Sequence, residues 1–410
     1  MPEPRGRTGS PTVNRVLAGE LCSGCGLCAG VSAGALRMTT VAPGYSRPAG
    51  DAPVSPESEA AIAAACPGAV VAPWDDAPHR HPAWGPWRRN VTAWATDADV
   101  RHRASSGGAL SALLIHALET GLVDRVLHVG ADPTHPTRNL TRWSRTRDEV
   151  LDGSGSRYAA SSPLFDIDRT LDAPGRFAFV GKPCDVSALR LLATRDPRVA
   201  ERVPVALSFF CGGLPSHAGA DRIVAAMGLE PDAVTRFRYR GEGWPGLTRA
   251  ETADGRVGEM RYHDSWGGHL SKEVQFRCKI CPDAVGGVAD IACADAWYGG
   301  ESGYPTFEEQ PGRSLAMTRT AAGDALFRSA VAAGAIAAED LPIAEVDLMQ
   351  PSQARRKRLV AARVAACAAT VQPRPVMRGL DVGRAARGAG VGETVRNALG
   401  TARRIVQGRR

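Results

Sequence analysis

The chain has 410 residues, 44% of them hydrophobic and 23% charged, with a mean hydropathy of −0.18. These are ordinary globular values that exclude wholesale disorder, collagen and coiled coil, and no run approaches the roughly 18 apolar residues of a membrane-spanning helix. The net charge of +7 is unevenly placed: residues 351–410 hold 14 Lys plus Arg against 2 Asp plus Glu, leaving −5 for the other 350. The length suggests two or three domains. Met1 to Val16 is polar, so a secretory signal is not expected and a cytoplasmic location is. Ten cysteines in that compartment read as ligands or buried thiols rather than disulfides. Arginine outnumbers lysine 46 to 4, yet Lys182 and Lys279 both lie within two residues of a cysteine.

Residues 1–90 are dense in Pro and Gly and are expected to be poor in regular structure, apart from a short helix over Pro56–Ala65. The stretch Pro73 to Trp87, with three Trp, reads as a linker or packed strap. Leu110, Leu113, Leu114, Ala117 and Leu118 mark an amphipathic helix that Gly121 stops. Val126–Val129, Phe177–Val180 and Val203–Phe210 read as strands, with a helix starting near Asp185, a good N-cap. Alternating strands and helices predict an α/β core. Residues 233–300 suggest β-structure and loops. A basic helix is expected around Gln353–Cys367, and Val391–Arg404 has the pattern of a short amphipathic helix. The expected organisation is an N-terminal cluster-binding segment and linker (1–90), a core (91–345) and a basic helical tail (346–410).

Cysteines form two constellations. Cys22, Cys25 and Cys28 follow a C-x2-C-x2-C spacing, with Gly24 and Gly26 letting the backbone wrap around one point. Cys66-Pro67 completes the pattern of a bacterial 4Fe–4S ligand set, although 38 residues separate Cys66 from Cys28. Zinc and unligated thiols are the alternatives. The second constellation is dispersed: Cys184 and Cys211 each follow a predicted strand, and Cys278 and Cys281 form a C-x2-C pair. Four cysteines at strand ends can converge at one sheet edge, where open α/β sheets place ligands. A second 4Fe–4S cluster is the reading adopted. Cys293 and Cys367 sit in apolar contexts and read as buried thiols.

Ser105-Ser106-Gly107-Gly108, at the start of a predicted helix, offers backbone N–H groups to a phosphate. Arg101 and Arg103 upstream suit phosphate oxygens; surface charge plus an N-cap is the plainer reading. Trp244 and Trp297 can stack on a flat ring or fill a core. Asp290 and Asp295 bracket a predicted strand, Ala289–Ala294, where a carboxylate can bond a ribose hydroxyl or cap the next turn.

Taken together, these residues resemble the coenzyme F420 hydrogenase/dehydrogenase beta-subunit family, which includes plant 7-hydroxymethyl chlorophyll a reductase and a divinyl-chlorophyllide reductase. The matching segments are Cys22–Cys28, Ser105-Ser106-Gly107-Gly108, Ser156-Arg157-Tyr158, Gly181-Lys182-Pro183-Cys184, Cys211-Gly212, Tyr239-Arg240-Gly241 with Trp244-Pro245-Gly246, and Cys278 through Trp297. The resemblance covers roughly residues 20–315 and implies an iron–sulfur flavoprotein with a ferredoxin-like N-terminal segment. It implies FAD contacts from Arg103, Ser105, Ser106, Gly107, Gly108, Tyr158, Lys182, Asp290, Asp295 and Trp297. It implies cluster ligands at Cys184, Cys211, Cys278 and Cys281, beside the set Cys22, Cys25, Cys28 and Cys66. Many relatives carry Thr where this chain has Lys182.

The expected function is electron transfer between FAD, two 4Fe–4S clusters and coenzyme F420 or a similar two-electron substrate, with Lys182 stabilising negative charge on reduced flavin. The expected partner is ferredoxin or a hydrogenase/dehydrogenase subunit, with a homo-oligomer as a further possibility. The alternatives are a ferredoxin-dependent reductase of an organic biosynthetic intermediate and a zinc-stapled binding protein whose basic tail meets nucleic acid or an anionic membrane. No recognised nucleic-acid-binding fold supports the last.

Overall fold

The structure is a computed structural model that describes residues 7–299 and 305–408. Its strands, in chain order, begin with two hairpins: β1 (Arg37–Val41) with β2 (Tyr45–Ala49), and β3 (His79–His81) with β4 (Gly85–Trp87). There follow β5 (Arg89–Ala95), β6 (Arg125–Ala131), β7 (Asn139–Ser144), β8 (Phe177–Val180) and β9 (Ala206–Phe209). A separate antiparallel sheet holds β10 (Val234–Arg238), β11 (Leu247–Thr252) and β12 (Val257–Arg261). The last three strands are β13 (Ile291–Asp295), β14 (Ser314–Thr318) and β15 (Ile336–Asp340). The central eight-stranded sheet has the order β15-β5-β14-β13-β9-β8-β6-β7. Its middle four strands, β13, β9, β8 and β6, are parallel and its flanks antiparallel. The α/β expectation is met by this mixed sheet.

Period-2 alternation divides the core. Phe177, Phe179, Leu315 and Met317 face one side, with Val186 and Leu189 of the Pro183–Ala193 helix and with Trp74 and Trp84 of the 73–87 strap. Ala178, Val180 and Ala316 face the other, under the helices Ala109–Glu119 and Ala321–Ala332. Arg319 pins the strap by donating to the carbonyls of Pro86 and Val285 at 2.7 and 2.8 Å.

Several expected elements are redrawn. The N-terminal segment is richer in regular structure than its composition suggests, with a helix at Pro11–Ala18 and the β1–β2 hairpin besides the predicted Pro56–Ala65 helix. Ser10 caps the first helix through Val13 N, and Pro11 fits its first turn, so the prolines here start helices rather than prevent them. Asp185 is not an N-cap: the helix begins at Pro183, and Asp185 Oδ2 accepts from Lys182 N at 3.0 Å as the third residue of a capping box. Among the described residues no helix is long and apolar enough to cross a membrane.

Candidate functional site

Because β8, β9 and β13 are parallel, their C-terminal ends share one sheet edge. That edge receives Lys182 and Cys184 after β8, Cys211 after β9, and Asp295 at the end of β13. Asp290 precedes β13 and lies at the opposite edge.

Cys184, Cys211, Cys278 and Cys281 line one small void of about 20 Å³, together with Lys182, Gln275, Arg277 and Arg356. Leu214 N and Gln275 Nε2 donate to Cys278 Sγ at 3.3 and 3.6 Å. Burial, then the neighbouring Cys278 thiolate, pushes Cys211 up to about 12. Such a set is poorly suited to hold several thiolates alone, and a cationic centre removes that repulsion. The donor chemistry therefore fits a four-thiolate cluster.

The first cysteine set also assembles. Cys22 and Cys25 sit on the loop after the Pro11–Ala18 helix, Cys28 lies in the short Leu27–Gly30 helix that follows, and Cys66 caps the end of the Pro56–Ala65 helix. Gly26 is needed there: its φ is +88°, and a Cβ would stand 2.7 Å from Phe165 N. Burial raises the Cys28 thiol most, and Cys22, Cys66 and Cys25 add to the effect. Burial, then Cys22, brings Cys66 to about 11. The long excursion from Cys28 thus returns Cys66 to its three partners. Among the described residues no three His, Cys, Asp or Glu side chains are arranged to hold a single ion.

A cavity of about 270 Å³ adjoins the second cysteine set and shares Lys182 and Cys211 with it. Gly108, Ala109, Leu110 and Ser111 open the Ala109–Glu119 helix into this cavity. Gly108 has φ +76° and no side chain caps the helix, which leaves its first N–H groups for an anion. Ser105 and Ser106 also line the cavity. Ser105 accepts from Ser156 at 2.8 Å, and Ser106 donates to the Arg313 carbonyl at 3.1 Å. Gly107 is not in the lining: its N–H donates to Ser314 Oγ at 2.9 Å, which anchors the loop on β14. The exposed donors and the polar loop fit the phosphate end of a dinucleotide cofactor.

Lys182 Nζ bonds Asp185 at 2.8 Å and Ser161 at 3.3 Å. Burial opposes its charge, but Asp185, with Cys184 and Cys25, together outweigh that and hold its pKa above the usual lysine value. Its charge is thus already balanced by Asp185. Tyr158 lines the cavity against Tyr239 and Trp266. Asp295 lines it too, but receives Arg240 through two bonds of 2.9 Å and Trp244 Nε1 at 2.7 Å. Its carboxylate holds Arg240 in place over Tyr262, 4.3 Å from the ring centre.

Three expected contacts fall elsewhere. Asp290 is a structural residue: it accepts from Ala206 N at 2.6 Å and Thr320 Oγ1 at 2.5 Å, and pairs with Arg190 at 2.7 Å. Arg103 ends the Ala98–Arg103 helix and turns to Asp152 and Asp99 on the surface. Trp297 stacks on Trp244 at 4.7 Å, behind Asp295, and is not in the cavity lining. Arg240, Arg277 and Gln350 were missed as site residues. Arg240 lay within a quoted motif, but one arginine among 46 carries little signal.

The basic C-terminal segment covers the second cysteine set. From the Pro351–Ala369 helix, Gln353 and Arg356 donate to the Cys211 carbonyl at 3.0 and 2.8 Å, and Arg356 also reaches the Gly212 carbonyl. Arg363 donates to the Lys279 carbonyl at 2.7 Å, and Lys357 to Leu380 and Pro282. One helix therefore ties the Cys211 loop to the Cys278–Cys281 loop.

Residues 90–167 match the family described as coenzyme F420 hydrogenase/dehydrogenase, beta subunit N-term, and residues 175–343 match its C terminus. The coenzyme F420 hydrogenase subunit beta of Methanococcus voltae is 28% identical over 67% of this chain and 92% of the relative. The F420-dependent formate dehydrogenase 1 subunit beta of Methanococcus maripaludis is 27% identical over 52% of this chain and 54% of its own length. A chain of the F420-reducing [NiFe] hydrogenase complex from Methanosarcina barkeri has a similar fold. Its TM-score is 0.52 at 21% identity, covering 68% of this chain and 95% of that one. The chain belongs to the coenzyme F420 hydrogenase/dehydrogenase beta-subunit family. Cys184, Cys211, Cys278 and Cys281 lie inside the matched residues; the first cysteine set and the C-terminal helices lie outside them.

Proposed function

We propose that this chain is an iron–sulfur flavoprotein oxidoreductase that moves electrons between FAD, two 4Fe–4S clusters and coenzyme F420 or a similar two-electron substrate. The observation that carries the reading is that Lys182 and Cys211 line both the cysteine-walled void and the larger cavity. A flavin, when bound, exchanges hydride pairs on one side and single electrons on the other.

In this reading the uncapped start of the Ala109–Glu119 helix and Ser105 take the cofactor phosphates. Tyr158 forms an aromatic wall, and the Lys182–Asp185 pair keeps a buried cation between cavity and cysteines. Cys184, Cys211, Cys278 and Cys281 hold the nearer cluster, and Cys22, Cys25, Cys28 and Cys66 the second. The relatives' names point to F420 as the two-electron substrate and to a partner subunit. The test is the visible spectrum of anaerobically purified protein, with iron, zinc and flavin assayed on the same sample. Flavin bands with about eight iron per chain support the reading. A colourless, zinc-containing protein overturns it.

A further inference from the structure

The Val391–Val406 helix lies against the Pro351–Ala369 helix through Thr401 and Ile405, which are 2% and 8% exposed. Asn397 accepts from Arg363 at 3.2 Å, and Arg363 is the residue that also bonds the Lys279 carbonyl. The helix is thus two side chains away from the Cys278–Cys281 loop.

Its outer flank is apolar. Val391, Val395, Leu399 and Val406 are 82, 51, 66 and 79% exposed, and their spacing aligns them in one stripe. Arg396 and Arg403 border it and are exposed. Arg404 stands beyond them, close enough to Lys279 and Arg363 for its charge to act on both. Among the described residues Arg396, Arg403 and Arg404 have no acidic group at ion-pairing distance; Glu393, the helix's own acid, is paired with Arg355. An apolar strip rimmed by unpaired cations calls for an acidic rim around a small apolar centre. Two features argue against other occupants. The helix carries no aromatic residue to anchor it in a lipid interface. Two-fold pairing of the stripe with a second copy sets the bordering arginines of both copies together.

We propose that this face is the docking surface for a small acidic electron-carrier protein, brought by it beside the Cys278–Cys281 loop. The proposal rests on the redox reading above and adds the partner's place and chemistry. The test measures binding of a purified plant-type [2Fe–2S] ferredoxin to the full chain by calorimetry, which reads association whether or not electrons move. Binding that weakens as salt rises from about 50 to about 300 mM, and by about tenfold or more in both V395D/L399D and R396E/R403E, supports the surface. Unchanged thermal midpoints and flavin content in those variants show that folding is intact. Binding that the variants leave unchanged overturns it. Capture of wild type, but not V395D/L399D, by phosphatidylserine vesicles with no ferredoxin binding also overturns it, in favour of a lipid surface. Lack of flavin and iron sinks the redox reading instead, independently of the binding result.

Discussion

Arg277 donates to the carbonyl of Pro67 through both Nε and Nη2, at 3.2 and 2.9 Å. This contact joins the residue after Cys66 to the residue before Cys278, so it fastens the two cysteine sets together. Arg277 is 2% exposed, and its charge lowers both Cys66 and Cys281 against the upward push of burial. Arg277→Met leaves the Pro67 carbonyl without this donor and is expected to destabilise the protein by about 2–3 kcal/mol. Urea unfolding measures the loss, and limited proteolysis should cut the segment before residue 72 faster. Lys at 277 keeps the charge with fewer bonds and should fall between the two. Unchanged stability and proteolysis would show that other contacts hold the segment.

The Lys182–Asp185 pair is buried, with side chains 10% and 1% exposed. Removing one partner leaves the other charge without compensation, so Lys182→Met should destabilise by about 3–5 kcal/mol. Adding Asp185→Asn should recover much of that loss, because the stranded carboxylate is gone. If Lys182 acts on bound flavin, flavin reduction stays slow in the double variant although stability returns. Recovery of both would assign Lys182 a purely structural role.

Much of this site was legible from spacing. The C-x2-C-x2-C run, Gly-Lys-Pro-Cys after an apolar strand and the C-x2-C pair each mark a local turn, and local turns are written in local sequence. Phe177–Val180 and Pro56–Ala65 were legible for the same reason, an apolar run and a Pro-started helix. Asp290 misled because a strand's two ends look alike in sequence, while only the C-terminal end of a parallel strand meets the site. The C-terminal cations misled differently. Their count reads as a surface footprint, but Arg356, Lys357 and Arg363 point inward to carbonyls 75 to 145 residues away in the chain. Such long-range satisfaction has no local signature.

His128 gives the fold an acid-sensitive point. It lies in the cavity wall, bonded to Ser144 Oγ at 2.7 Å, and burial, reinforced by Arg142, lowers its pKa to about 4. The unfolded chain protonates this residue near pH 6.5, so the folded state binds the proton less readily. Its stabilisation is therefore complete above about pH 6.5 and lost as pH falls towards 4. The effect is about 3 kcal/mol at most. His128→Gln, which retains a bonding group for Ser144, should flatten the acid limb of a stability–pH curve by a similar amount. Parallel curves for the two proteins would overturn this assignment.

Gly107 has no room for a side chain. A Cβ there would meet Ala93 O and Ser314 N at 2.6 Å each, both backbone atoms of β5 and β14. Gly107→Ala must therefore shift the loop that opens the Ala109–Glu119 helix. The expected result is a loss of about 2 kcal/mol and flavin that washes out on gel filtration, with iron retained. Flavin retained at the wild-type ratio would place the phosphate site elsewhere.

Arg356 offers the sharpest separation of the two cysteine sets. Its guanidinium bridges the Cys211 and Gly212 carbonyls and lines the void between Cys184, Cys211, Cys278 and Cys281. Its charge lowers the Cys211 thiol, against burial and Cys278. No comparable contact joins it to Cys22, Cys25, Cys28 or Cys66 among the described residues. Arg356→Ala should loosen the Cys211 loop and remove a positive charge from beside four thiolates, while the first set keeps its Arg277–Pro67 anchor. Iron should then fall from about eight to about four per chain, with flavin partly retained. Arg356→Lys keeps a cation but not the two-carbonyl fork, so it should retain more iron than Ala. Where iron survives in the Lys variant, a shifted midpoint potential of one iron–sulfur centre, with the other unchanged, would identify the one under the helix. Loss of all iron in the Ala variant would instead mean that the two sets stand or fall together.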